Sequence, residues 1–380
     1  MFKCKYYPSE LLIALFVITH NIASIACFSK IGWMSRACSI SQLCIWVLLI
    51  LFCERIHVSK NKTIYMSVCL TIFFVIYLYA RTLAFVFAIV LYFTCEKTRF
   101  EKIMDLIWKA YFALIILAFL LYFGGISDGG IARTYDVTRQ AKAFGFSHPN
   151  VGGYWIAMML LSKMYCDEYK KIKIGTIKGI LNGIFYVGSL LGGFYILKCR
   201  TSVAVVGIGL LCMLFYKNIK FENTILRIVT ELVQPAILLF TVIGAIVYPA
   251  YGIKFLDMKL ANRIFLCHYH YIMNGFSLFG KTIDYSKYTL DNSYMSFLLQ
   301  YGIGAMLIYA LLSIATIKKA WKNKNGAIIA VAVAIFAYGY MENGIFDPTA
   351  NFAFLYLLTG NIARVKNGTY MFKVKEETIG

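Results

Sequence analysis

The chain is 380 residues long, 60% hydrophobic and only 15% charged, with 38 Lys and Arg against 18 Asp and Glu. A soluble protein needs roughly 25% charged residues to cover its surface, so this composition excludes a string of soluble domains, and a mean hydropathy of +0.70 excludes disorder. The basic residues fall in small groups between long apolar runs rather than on one soluble face, which excludes a conventional nucleic-acid binder and indicates a polytopic, all-α integral membrane protein.

A helix needs about 20 apolar residues to cross the hydrocarbon. The basic start of the chain leads into an apolar run without a small-residue cleavage site, which reads as a retained first span. Candidate spans follow near 11–29, 37–53, 63–80, 82–95, 103–123, 149–165, 177–197, 201–216, 232–252, 293–317, 326–341 and 349–363. That is about twelve transmembrane helices in a single membrane-embedded domain over 1–380, the last two separated by the polar hinge Glu342-Asn343-Gly344. Placing both termini in the cytoplasm puts 24 cations on the inside and 13 outside, as the positive-inside rule requires. Two external loops, about 124–148 and 253–292, are long where the other connections are short, and function is expected on them. The eleven cysteines contain no C-x-x-C pair and read as small buried hydrophobes.

The outer cations are rich in arginine: Arg36, Arg81, Arg133, Arg139, Arg200 and Arg263. Guanidinium matches phosphate oxygens with a planar fork, whereas lysine is a point charge. Headgroup contact or pairing with Asp128, Asp136 and Asp257 accounts for any one of them singly. Several spans also begin on the outer side with caps: Ser147-His148-Pro149-Asn150, Arg200-Thr201-Ser202, Asp291-Asn292-Ser293 and Asp347-Pro348-Thr349. Plain capping explains each; together, with Arg beside them, they describe an anion site for a phosphate-bearing ligand. Apart from His20 and Lys109 the expected span centres lack ionisable side chains, which leaves coupled transport without machinery. No Asp-x-Asp or His-rich cluster calls for a metal, and no cofactor is implied.

Within this frame Ala143-Phe144-Gly145-Phe146-Ser147-His148-Pro149-Asn150, with Arg139 upstream, resembles a segment of bacterial O-antigen polymerases and O-antigen ligases. Leu197-Lys198-Cys199-Arg200-Thr201-Ser202 resembles their element at the head of a later span, with Cys199 where the family has Ser. Leu260-Ala261-Asn262-Arg263, then Leu278-Phe279-Gly280 and Asp291-Asn292-Ser293-Tyr294, resemble their large external loop. The ordered set covers roughly residues 130–310.

The resemblance implies glycosyl transfer on the outer face of the bacterial cytoplasmic membrane from an undecaprenyl-diphosphate-linked oligosaccharide. It also implies company with a flippase and chain-length regulators. Ligases usually have His where this chain has Asp291, which favours a capsule, exopolysaccharide or O-antigen polymerase over a ligase. Arg200 and Arg263 are then expected on the diphosphate, with Arg139 and Arg133 assisting. Preorganised cations and helix N-termini stabilise the leaving charge without a metal. Asp291 is the first candidate for the base that accepts the acceptor hydroxyl proton, His148 the second and Glu342 the third. Asn150, Asn292 and Tyr294 are expected at the substrate, and Tyr135, Tyr269, Tyr271, Tyr285 and Tyr288 are candidates to stack on sugar rings. Ligase-like transfer to another acceptor, and a transporter or flippase for the lipid-linked sugar, are the competing readings.

Overall fold

Where water is absent, backbone N–H and C=O groups must pair within their own segment, so long apolar runs become helices. The computed structural model describes residues 8–52, 71, 98–128, 131–133, 140–173, 175–219, 221–248, 253–285, 287–343 and 351–359. Helices α1 (Pro8–Ile22), α2 (Ala26–Ser29), α3 (Met34–Phe52) and α4 (Phe100–Phe123) come first. A two-stranded antiparallel hairpin follows, β1 (Ile131–Arg133) against β2 (Gln140–Lys142), with Ile131 opposite Lys142. Then come α5 (Pro149–Tyr169), α6 (Ile177–Leu191) running into a π-helical turn at Gly192–Ile196, α7 (Arg200–Lys217) and α8 (Thr224–Val247). The chain continues through α9 (Ile253–Lys259), α10 (Arg263–Asn274), α11 (Ser293–Lys322), α12 (Gly326–Met341) and α13 (Phe352–Leu358).

The molecule is predominantly helical. Among the described residues five helices are long and apolar enough to cross a membrane: α4, Ile177–Ile196, α7, α8 and α11; α1, α3 and α12 are apolar but shorter. Apart from Thr71, the expected spans at 63–80 and 82–95 lie outside the described residues, as do the two ends of 349–363.

Helix α12 is the axis. Ile328, Ile329, Ala330, Val331, Ala332, Ala334, Ile335 and Phe336 are all fully buried, and the helix is packed against α5, α7, α8, α11 and α13. A helix apolar all round must be surrounded on every side. By contrast α6 buries no residue and shows Ile177, Ile180, Leu181, Ile184 and Val187 outward, the face of a peripheral span. Helices α5 and α7 meet at Gly153, where an added Cβ would lie 2.5 Å from Cys199 Cβ and 2.7 Å from Ser202 Oγ; small residues are what let membrane helices approach this closely.

Three expectations are corrected. Helix α8 begins at Thr224, eight residues before the expected 232, so Glu231 lies inside it and is buried, as is Gln234. One turn separates Arg227 from Glu231, and their contact at 3.6 Å, with Lys318 at 4.0 Å, offsets the charge that masked the helix start. The loop 253–292 is no open loop, because α9 and α10 occupy its first half. Finally α11, expected to end near 317, runs to Lys322 and is broken at Gly302 (φ 87°, ψ 173°). Phe297 and Tyr309 sit with ring centroids 5.8 Å apart, whereas twelve residues of straight helix would separate them by about 18 Å, so the break is a sharp bend.

The bend is locked by the preceding segment. Ile303 N–H donates to Ser277 O (3.0 Å), Gly304 N–H to Leu278 O (3.2 Å) and Lys281 N–H to Leu299 O (3.1 Å). A Cβ on Gly302 would lie 2.3 Å from Leu278 O, and one on Gly280 (φ 78°) 2.1 Å from Gln300 O. Gly280→Ala and Gly302→Ala are therefore each expected to cost more than about 2 kcal/mol, from left-handed strain plus backbone collision. Detergent melting temperatures check this against Gly304→Ala, whose added Cβ would sit 3.4 Å from Leu278 O, an ordinary contact.

Candidate active site

The start of α5 is built by Gly145 (φ 88°), whose missing Cβ would lie 2.2 Å from Ala118 O. Only glycine fits this turn against α4. Ala26 N–H donates to Gly145 O (2.8 Å) and Ser147 N–H to Ser24 O (2.9 Å), which ties the turn to the break after α1. His148 then caps α5, with Pro149 at the first helical position. Its Nδ1 accepts the Asn150 backbone N–H at 3.2 Å, so the lone pair sits on Nδ1 and the proton on Nε2. Burial lowers the His148 pKa, partly offset by Asp291, and protonation would break the cap. In this tautomer the ring nitrogen free for other partners is a donor.

The sharp connection from the π turn, with Lys198 at φ 55°, delivers Cys199 and Arg200 to the head of α7. Cys199 makes no side-chain cap. Its thiol donates to Pro149 O at 3.0 Å and burial pushes its pKa to about 12, so it is a buried donor and not a nucleophile. The other helix starts here are satisfied: His148 caps α5, Asn292 Oδ1 caps α11 through Met295 N–H (2.9 Å), and Asp257 accepts Ile264 and Phe265 N–H (2.7 and 3.1 Å) at α10. Helix α7 alone of these four lacks a side-chain cap, and Arg200 at its first position is exposed, with no hydrogen bond or ion pair to the described residues. The uncapped start of α7, the positive end of a helix, thus carries an arginine that has no partner among the described residues.

Glu342 joins these helix ends. It follows the last residue of α12, its side chain is 13% exposed, and Arg263 Nη2 approaches Oε1 at 3.5 Å. Asn150 from α5 and the Thr201 hydroxyl from α7 also donate to its carboxylate. Burial raises its pKa to about 7, against the lowering effects of Arg263, Thr201 and Asn150 and with a raising contribution from Asp291. Ser293 Oγ donates to Glu342 O (2.6 Å) and Asn292 Nδ2 to Tyr340 O (3.1 Å), so the head of α11 holds the hinge and brings the preceding residue, Asp291, beside it.

The structure thus brings together Glu342, Arg263, Arg200, Asn150, Asn292, His148 and Asp291. Asp291 is half-buried on the rim. Arg263 is only 9% exposed, with Nε on Met341 O (2.7 Å) and Nη1 on Leu260 O (3.3 Å), so its donors serve the protein. Tyr294 is in the core, its hydroxyl on Phe336 O at 2.8 Å, and it presents no face to a ligand. The backbone of Arg133 lies on β1, but its side chain, with Arg139, Tyr135 and the Asp347-Pro348-Thr349 cap, lies outside the described residues. Tyr269 and Tyr288 pack edge to face at 4.7 Å, and Tyr285 lies in a hydrogen-bond chain through Ser296 to Asn343. Thr201 as a Glu342 donor and Asp257 as the α10 cap went unread in the sequence. A lone carboxylate ending a wholly apolar helix was the signal that such partners must exist.

Among the described residues no three His, Cys, Asp or Glu side chains cluster as a metal site. Comparison with protein-family models, with curated proteins and with solved structures finds no match.

Proposed function

We propose that this chain is a polysaccharide polymerase of a bacterial cytoplasmic membrane, with about twelve spans and both termini inside. It joins undecaprenyl-diphosphate-linked oligosaccharide repeat units on the outer face by metal-independent glycosyl transfer. One observation carries the reading: Arg200, without a partner among the described residues, stands on the uncapped start of α7, and the next residue, Thr201, is bonded to the buried carboxylate of Glu342. An anion site and a base of suitable pKa are therefore one residue apart.

In the proposed step an acceptor hydroxyl oxygen attacks C1 of the donor sugar as the bond from C1 to the phosphate oxygen breaks. The bonding pair leaves on the diphosphate, where Arg200, the α7 N–H groups and the His148 Nε2–H receive it. The hydroxyl proton passes to Glu342, whose pKa of about 7 suits a base at neutral pH. Arg263 is a positioning residue, holding Glu342 and the Met341 carbonyl. Asp291, the first candidate by sequence, acts through its charge on Glu342.

Purified protein in liposomes, given lipid-diphosphate oligosaccharide without nucleotide sugar or added metal, is expected to yield a ladder of longer lipid-linked glycans. One transfer to a different acceptor marks a ligase. Translocation across the bilayer without bond formation overturns the enzyme reading.

A further inference from the structure

We infer that the end of α10 and the strip after it, residues 272–280, are embedded in the membrane leaflet on the Glu342 side, with lipid acyl chains as their partner. The inference does not depend on the polymerase reading. Ile272, Met273, Leu278 and Phe279 are 40–65% exposed, too large a cluster of apolar side chains to leave in water without a partner. The cluster is continuous with a span: Leu278 O accepts Gly304 N–H, and on α11 Ile303 and Leu307 are likewise exposed. No charged residue occurs from Tyr271 to Gly280. Charge returns at Lys281, whose Nζ donates back to Asn274 O, and at the exposed Asp284 and Lys287.

Irregular backbone is tolerated at membrane depth where it is packed on protein that pairs its polar groups. The strip therefore fits the edge of the hydrocarbon, its backbone against α11 and its apolar side chains toward lipid. The bend at Gly302 frees groups on α11; the strip takes up Ile303 N–H and Gly304 N–H, and Lys281 N–H just after it takes up Leu299 O. These three bonds pair polar groups of both segments, which lowers the cost of bringing them together to the edge of the hydrocarbon. The depth is consistent: Gly304–Lys322 is about 28 Å of helix, close to the thickness of the hydrocarbon core, which sets the bend near its boundary. Helix α10 is thus a bar of about 18 Å, lipid-facing at Met273 and joined to Glu342 through Arg263 at its other end.

The test places Trp at Leu278, at Met273 and, as the aqueous control, at Asp284 in the full chain, in phosphatidylethanolamine–phosphatidylglycerol vesicles. Emission above that of the unsubstituted protein is read. For Leu278→Trp and Met273→Trp the added emission is expected to drop several-fold with mid-chain brominated lipids and to resist aqueous iodide; for Asp284→Trp the reverse is expected. Iodide quenching at 278 and 273 equal to that at 284 overturns the inference. So does quenching by neither agent, which would mean that a second copy or another protein covers the strip.

Discussion

Glu342→Gln is expected to lower elongation by about 10²- to 10⁴-fold, the usual contribution of a positioned general base, while membrane insertion and fold persist. The amide keeps the size and an acceptor oxygen for Thr201 and Asn150, but it cannot take a proton. Because the Glu342 pKa is raised to about 7, wild-type activity is expected to rise with pH through about 7 as the carboxylate forms. The Gln variant should lack this limb. Stability runs the opposite way. The folded-state pKa lies above the ordinary 4.5, so the folded form holds its proton more tightly, and the associated stability, complete below about 4.5, is lost as pH rises through about 7. Melting temperature across this window, for wild type and Gln variant, gives the second readout. Asp291→Asn separates the roles: the charge of Asp291 raises the Glu342 pKa, so its loss should move the limb to lower pH without abolishing turnover. Full activity in Glu342→Gln together with inactivity in Asp291→Asn would return the base to Asp291.

Arg263→Ala is expected to destabilise the protein by about 3–5 kcal/mol, the cost of leaving a buried charge without its partner. The guanidinium touches Glu342 and also holds the carbonyls of Met341 and Leu260, so one substitution strands three groups. Arg263 lowers the Glu342 pKa, and without it the carboxyl should protonate at a higher pH. The loss should therefore be smaller at pH 6, where protonation removes the charge, and larger at pH 8.5. In Arg263→Ala/Glu342→Gln the second substitution should recover much of the loss. Equal losses in the single and double variants, with no pH dependence, would mean that Arg263 acts through the two carbonyls alone.

Much of the frame was legible in the chain because its physics is local. Pro149 after His148, Asn292 before Ser293 and the apolar run of α12 act within one turn or one helix, and each stands where the pattern placed it. Cations at helix ends were readable too, but their state was not. Arg200 and Arg263 look alike in sequence, yet one is exposed, with no partner among the described residues, while the other is buried against Glu342. Tyr294 sits in the same motif as Asn292, and the helix turn between them sends its ring into the core. The bend in α11 escaped notice because Gly302 and Gly280 are 22 residues apart, and each makes sense only against the other.

The sequence by itself determined a helical membrane protein, the caps at His148 and Asn292 and which helix ends carry cations, since hydropathy and these caps are properties of contiguous residues. Only the tertiary structure decided which of those cations is exposed and which buried, which carboxylate is the hub and which helix start is left without a side-chain cap. Those depend on what α5, α7, α10 and α11 bring to the end of α12. Burial, which raises the pKa of Glu342, involves neighbours as distant in the chain as Ser293, Arg263, Thr201 and Asn150.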